Sequence, residues 1–140
     1  MLAKLRQDNE ELGHIAEDLP TRLSASELRD VEGLARCRWR LTRGLTQRLA
    51  VEDTHVYPKL AHDPRPRIFA LASRMKSDLV DVTSHFHSYC ESWAMNAVVA
   101  DWDGYRRAAY AMIDLLRRRI DLEDRHLYSE LAVTDGVHRP

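Results

Sequence analysis

The chain has 140 residues, of which 44% are hydrophobic and 31% charged, with five glycines, five prolines and a formal charge of −1. This composition favours long soluble helices over sheets, and the length suits one domain that buries an ordinary core without a disulfide or a structural metal. Acidic and basic residues are interspersed, and no stretch approaches the roughly 18 apolar residues of a membrane span, so we expect neither nucleic acid nor a membrane as partner. The N-terminus is charged from Lys4 onward and has no apolar signal segment, which predicts a cytoplasmic location.

The first half of the chain carries two helical patterns. Apolar residues at three- and four-residue spacing predict a first helix that ends near Pro20 or shortly after, with Asn9 on its apolar stripe. Residues 24–27 (SASE) have the form of a capping box and predict the start of a second helix, which runs to about Ala61 and is interrupted near its end by Pro58. The apolar positions that define these two helices are Leu2, Leu5, Leu12, Ala16, Leu19, Leu23, Leu34, Leu41, Leu45, Leu49, Val56 and Leu60.

Two prolines within residues 62–66 (HDPRP) divide the chain almost in half, because a proline opposes the helical conformation of the residue before it. A third helical pattern follows from Arg67 to about Val99. Asp101 can then cap a fourth helix, which frays in the polar tail 134–140. Short connections between long helices imply antiparallel neighbours, so the sequence predicts an all-α, up-down-up-down four-helix bundle.

A fourteen-residue segment occurs twice, at positions 48–61 (RLAVEDTHVYPKLA) and 119–132 (RIDLEDRHLYSELA). Seven of the fourteen positions are identical, and three more exchange one aliphatic residue for another. Half the chain length separates the copies, so the simplest architecture is a duplicated helix pair. We therefore expect half-repeats at about 1–62 and 67–133 within a single domain of residues 1–140.

These segments carry a family resemblance. EDTHVYPKL and EDRHLYSEL resemble the twin HxxxEExxLYPxL segments of hemerythrin-like (HHE) domains, and LRQDNEEL resembles their opening LRxDHxxL. The resemblance covers nearly the whole chain, and it implies a four-helix bundle with a non-haem di-iron centre in its core. In that family the ligands are histidines from all four helices and an acidic residue four positions after the histidine on helices 2 and 4. Imidazole and carboxylate at i and i+4 share one helix face, which suits a core metal.

The acidic ligands of the family map onto Glu52 and Glu123, but its histidines do not map onto histidine. The corresponding positions on helices 1 to 4 are occupied, in chain order, by Asn9, Arg48, Phe86 and Arg119. Asparagine is a poor ligand for iron and phenylalanine is none, while arginine stays protonated at any relevant pH and has no lone pair to donate. We therefore expect no cofactor.

A carboxylate buried without its metal carries a desolvation penalty of several kcal/mol, so Glu52 and Glu123 need another partner. Each of them follows an arginine by four residues, which allows fork-like pairing within one helix or across to the other. We hypothesise a polar core in place of the metal, joined by a tyrosine hydroxyl and formed by Asn9, Arg48, Glu52, Arg119 and Glu123. The alternative is that both arginines extend into solvent and form ordinary surface pairs.

A rival interpretation keeps a metal. Residues 52–55 and 123–126 both read ExxH, the i,i+3 pairing that ferritin-like di-iron bundles use on two of their helices. In this interpretation an iron site is formed by Glu52, His55, His85, Glu123 and His126. Relative to Glu52, the helical period puts His55 on the margin of the buried face, which suits a boundary hydrogen bond as well as a ligand.

No GxSxG, HExxH, glycine-rich phosphate loop or paired-cysteine motif is present, so we expect no enzymatic activity. Cys37 and Cys90 lack CxxC spacing and are expected to be free thiols. The leading hypothesis is a hemerythrin-like bundle that has lost its iron and serves as a regulatory or interaction domain, with an unknown protein partner or as a homodimer. The resemblance also implies the alternative, a metal-binding protein that senses or handles oxygen, nitric oxide or iron.

Overall fold

The computed structural model describes residues 2–127 and 129–130, and every regular element within these ranges is helical, which confirms the predicted all-α class. The α-helices of the described chain are α1 (Leu2–Leu23), α2 (Val31–Val51), α3 (Tyr57–Ala61), α4 (Pro66–Ser92), α5 (Met95–Ala100) and α6 (Trp102–Leu122). A five-residue π-helical segment follows directly on α2, at Glu52–Val56, and another follows on α6, at Glu123–Leu127. The predicted fraying of the last helix in residues 134–140 lies outside the described residues. None of the helices in the described ranges is long and apolar enough to cross a bilayer.

Four long helical stretches form a closed ring. Helix α1 packs against α2 and α6, and α4 packs against α3 and α6. Helix α3 prolongs α2 through the π-helical segment, with helical backbone angles at the junction, so α2 and α3 together make one side of the ring. Segment 24–30 joins α1 to α2 and segment 62–65 joins α3 to α4, which makes sequential helices neighbours in the bundle.

The interior contains two apolar clusters. The larger one is built from α1, α2, the second half of α4, α5 and α6, and includes the fully buried Tyr105. The smaller one is built from α3, the first half of α4 and Val56, which is the last residue of the first π-helical segment; Leu60 and Ile68 are fully buried in it. Leu49 packs against both clusters. The polar residues described below lie at the level where the two clusters meet.

The second helix begins later than the capping-box pattern predicts. Ser24 Oγ donates a hydrogen bond back to the carbonyl oxygen of Thr21 at 2.7 Å, so it belongs to the end of α1. Helix α2 starts at Val31, and the side chain of Asp30 accepts a hydrogen bond from Gly33 N at 2.9 Å. An aspartate that caps the first turn removes an unsatisfied backbone donor, and here that residue lies six positions beyond the predicted one.

The third helix ends earlier than predicted. Helix α4 stops at Ser92, Trp93 leaves the helical region with φ −122° and ψ 56°, and α5 begins only at Met95. The Trp93 carbonyl accepts a hydrogen bond from Arg38 Nη2 of α2, a tertiary contact that a helical periodicity does not reveal. Asp101 caps α6 by accepting from Gly104 N at 3.0 Å, which confirms its predicted role.

Candidate functional site

Five polar side chains lie inside the bundle, almost without access to solvent. Their exposed fractions are 4% for Asn9, 2% for Arg48, 0% for Glu52, 4% for Arg119 and 3% for Glu123. Arg48 continues the buried stripe of α2 three residues after Leu45. Arg119 does the same in α6, three residues after Leu116. Both arginines therefore follow the same helical periodicity as the apolar core residues, which places their guanidinium groups in the interior of the bundle.

The two arginines and two glutamates form a ring of ion pairs. Within α2 and the segment after it, Arg48 Nε lies 3.2 Å from Glu52 Oε1. In the second half of the chain, Arg119 Nε lies 3.0 Å from Glu123 Oε1. Each guanidinium also reaches across the bundle: Arg48 Nη2 lies 2.7 Å from Glu123 Oε2, and Arg119 Nη2 lies 3.6 Å from Glu52 Oε2. Residues 71 positions apart thus make equivalent contacts, with two cations facing two carboxyl groups.

The guanidinium of Arg119 also has acceptors outside the ring. Its Nη1 donates to the Met75 carbonyl oxygen at 2.8 Å and to Asp78 Oδ2 at 2.9 Å, and its Nη2 donates to the Tyr57 hydroxyl. These contacts leave Nη2 of Arg119 outside hydrogen-bond distance of Glu52. Burial opposes the charged form of Arg119, but the charges of Glu123, Tyr57 and Glu52 outweigh it and raise the pKa of this guanidinium. It is a cation at every relevant pH.

The two carboxyl groups also influence each other. Burial raises the pKa of Glu123 well above its ordinary value of 4.5, and the neighbouring carboxyl group of Glu52 adds to the rise. The charges of Arg48 and Arg119 act in the opposite direction. Glu123 therefore keeps a proton to a higher pH than an exposed glutamate does.

Two members of this network, Tyr57 and Asp78, are not among the site residues predicted from the sequence. Tyr57 is the tyrosine of the first repeat, and its position inside that repeat is a usable signal. Asp78 lies beside Leu79, one position off the apolar stripe of α4, with 42% of its side chain exposed, and nothing local marks it as a partner of Arg119. At this level of the bundle α4 contributes Met75 and Asp78, whereas Phe86 packs in the larger apolar cluster.

The histidines of the rival metal interpretation lie on the surface. His55, His85 and His126 are exposed, while Glu52 and Glu123 are buried. For His55 and His126 the cause is the π-helical segment that starts at the glutamate before each of them. A π-helical turn holds more residues than an α-helical turn, so a side chain three positions after the glutamate is rotated further from the core. The structure thus brings the two glutamates together and leaves the three histidines apart from them.

The donor set at the centre does not suit a di-iron site. The groups closest to the two buried carboxylates are guanidinium nitrogens, at 2.7 to 3.2 Å, and these have no lone pair for a metal and repel it by their charge. The described part of the chain contains no group of three or more His, Cys, Asp or Glu side chains arranged to hold a metal ion. Chemically, the arrangement neutralises two buried carboxyl groups and connects helices α2, α4 and α6 through ion pairs and hydrogen bonds.

Comparison with known proteins gives one match. The family model described as hemerythrin HHE cation-binding domain matches residues 1–131 of the chain. No curated protein and no solved structure matches it significantly.

Proposed function

The chain belongs to the hemerythrin HHE cation-binding domain family, and we propose that it is a member that has lost the iron site and serves as an interaction bundle. The observation that carries the proposal is the pair of guanidinium groups of Arg48 and Arg119 beside the Glu52 and Glu123 carboxyls. These arginines stand where the resemblance puts histidine ligands. A permanent cation at both positions is incompatible with a bound iron ion.

The arginine network explains how the fold persists without iron. An uncompensated pair of buried carboxylates would destabilise the bundle by several kcal/mol, and the two arginines remove that penalty. The directional contacts of Arg119 with Met75, Asp78 and Tyr57 also fix the register between α6, α4 and the start of α3. A bundle held in one register presents a defined surface to a partner.

One surface suits that role. A groove of about 450 Å³ runs between α1 and α2, and it contains Trp39, which is 60% exposed and lies 5.2 Å from the Arg43 guanidinium. The α1 wall carries the acidic Asp8 and Glu11, and the α2 wall carries the cationic Arg40 and Arg43. Exposed tryptophan and arginine are the side chains most often found at the energetic centre of protein interfaces.

The partner we propose for this groove is a second copy of the same chain. In a twofold dimer each contact between residue i and residue j occurs twice, so an acidic wall on one copy meets the basic wall of the other. Glu11 and Arg40 suit such a contact, because neither forms an ion pair within the described residues. Trp39 lines the groove and is exposed, so it is available to contact the partner.

Charge reversal tests this dimer. Analytical ultracentrifugation of the wild type is expected to show a dimer, and Glu11→Arg and Arg40→Glu should each shift it to monomer by placing like charges opposite each other. A one-to-one mixture of the two variants should restore a dimer, since each of the two contacts then again joins a cation to a carboxylate, one with the original sign and one with the sign exchanged. A wild type that stays monomeric at high concentration, or a mixture that does not recover, would refute the dimer and leave the iron-free core untouched.

Elemental analysis tests the core itself. The full chain is produced in iron-supplemented medium, purified without chelator and analysed for iron, manganese and zinc. We expect far less than one metal ion per chain. Two iron ions per chain, with the visible absorption of a bridged iron pair, would overturn the proposal.

A further inference from the structure

A small cavity lies beside the arginine network. It has a volume of about 20 Å³ and is lined by Asn9, Arg48, Glu52, Arg119, Glu123 and apolar side chains of four helices. A cavity needs roughly 10–15 Å³ of this kind of volume to hold one water molecule. The space therefore fits one water-sized molecule and nothing larger.

Three polar atoms at this cavity have no hydrogen-bond partner within the described residues. They are Nδ2 and Oδ1 of Asn9 and Oε2 of Glu52, and all three are buried. Both residues are at most 4% exposed. The nearest cation to the Glu52 oxygen, Arg119 Nη2, is 3.6 Å away because it donates to Tyr57 instead. Buried polar atoms in native proteins nearly always have a partner, either protein or ordered water.

We propose that this cavity binds one water molecule, which accepts a hydrogen bond from Nδ2 of Asn9 and donates one to Oε2 of Glu52. The chemistry selects water. A carboxylate oxygen requires a donor and an amide N–H requires an acceptor, and water supplies both within the volume present. An apolar molecule of the same size would leave all three atoms unsatisfied. The inference rests on the proposed function in one respect, namely that arginines and not iron fill the centre of the bundle.

Asn9 is also the gate of this site. The same residue lines an open groove of about 490 Å³ between α1 and α6, together with Arg6, Glu10, Asp121 and Arg125. Its side chain thus separates the internal cavity on one side from the solvent-filled groove on the other. Rotation of this side chain is the route by which the bound water exchanges, because Oδ1 and Nδ2 of the amide are both buried in the arrangement seen here.

Whether Asn9→Leu raises or lowers the melting temperature tests for the bound water. Leucine has the same number of side-chain heavy atoms as asparagine and the same branch point, so Asn9→Leu removes the amide, and its bulkier methyl groups fill the space of the water. If water is bound, Glu52 Oε2 loses its donor, and we expect the melting temperature to fall by roughly 3–6 °C. If the cavity is dry, the same change removes two unsatisfied polar atoms, and the melting temperature rises, which would overturn the proposal.

Two measurements on folded protein complete the test. In the wild type, the side-chain amide protons of Asn9 should show a nuclear Overhauser effect to a long-lived water, and the absence of that signal would refute the site. In Asn9→Ala the gate is open, so water relaxation dispersion should show that the long-lived component is lost; its persistence would refute the gate. Iron found in the purified chain would overturn the proposed function through a separate measurement, so the two failures are distinguishable.

Discussion

Arg48 Nη2 donates a hydrogen bond to Glu123 Oε2 at 2.7 Å across the bundle, although the two residues are 75 positions apart. Arg48 also donates from Nε to Glu52 at 3.2 Å, so one guanidinium joins the two halves of the repeat. With side-chain exposures of 2% and 3%, the pair of Arg48 and Glu123 is screened little by solvent. Removing one arginine leaves two buried carboxyl groups beside a single guanidinium, so part of the buried charge is uncompensated.

Methionine keeps the unbranched apolar part of an arginine side chain but not its charge. Replacement of either buried arginine by methionine should therefore destabilise the fold strongly. We expect Arg48→Met and Arg119→Met each to lower the free energy of unfolding by about 3–5 kcal/mol in urea titrations followed by circular dichroism. Arg119→Met also removes the donors to Tyr57 and Asp78.

Arg125→Met is the matched control. Arg125 pairs with Asp121 at i,i+4 spacing and a distance of 2.9 Å, but its side chain is 71% exposed. Its replacement should therefore lower the free energy of unfolding by less than about 0.5 kcal/mol. If the buried variants behave like Arg125→Met, the network does not hold the bundle together.

Much of the fold could be predicted from local sequence patterns. The places where the structure differs from the prediction are determined by tertiary contacts. Asp101 is recognisable because a cap needs only an acceptor before the first turn, as its bond to Gly104 N shows. The break at Trp93 has no such signal, because its carbonyl turns toward Arg38 on another helix.

The same distinction holds at the candidate site. The i,i+4 spacing of Arg48 and Glu52 is visible in the sequence, and the repeat relates it to the second half. The contact of Arg119 with Asp78 is not visible, because it depends on how α4 lies against α6. The π-helical segments are invisible as well, and they turn His55 to the surface, whereas an ideal α-helix would place it on the margin of the core.

The raised pKa of Glu123 makes stability depend on pH. Since the folded-state pKa lies above the ordinary 4.5 that applies to the unfolded chain, the folded protein retains a proton that the unfolded chain releases. The contribution of this group to stability is present below pH 4.5 and declines as pH rises through the folded-state value. Glu123→Gln cannot titrate, so relative to the wild type it should become progressively more stable as pH rises from about 4.5.

The measurement is the difference in melting temperature between wild type and Glu123→Gln at a series of pH values, which cancels the titration of other groups. Glu17→Gln, at an exposed position of α1, serves as the control for removing a carboxyl group outside the network. If Glu123→Gln follows the same pH dependence as this control, the network does not shift the Glu123 carboxyl group.

The two cysteines should differ in reactivity. Cys37 is 1% exposed, and burial, followed by the charge of Asp18 and a hydrogen bond to it, raises its pKa to about 11. At pH 8 only about one molecule in 1,000 carries the reactive thiolate at this position. Iodoacetamide should therefore modify the partly buried Cys90 first, and in Cys90→Ser the remaining thiol should react only as the protein unfolds. Rapid modification of Cys37 in the native Cys90→Ser variant would show that α2 opens locally.

If the arginines are what exclude a metal, then exchanging them for histidine should admit one. Arg48→His combined with Arg119→His removes both cations and leaves two imidazoles, each four residues before a buried glutamate. Two neutral imidazoles and two carboxylates form a donor set of net charge −2, which suits a divalent transition metal and is costly to bury without one. We expect this double variant to be destabilised alone and to regain about 2.7 kcal/mol when Co²⁺ or Zn²⁺ is present at a hundredfold excess over its Kd. The wild type should show no such gain.

The control for the metal experiment is Arg36→His with Arg107→His. These two arginines are also 71 positions apart and lie on α2 and α6, but both are exposed, so the pair gains two histidines without a buried carboxylate. Adding Glu52→Gln to the buried double variant should then abolish the metal-dependent stabilisation, because it removes one anionic ligand. Equal stabilisation in the exposed control, or none in the buried variant, would show that something other than the two guanidinium groups keeps metal out of this bundle.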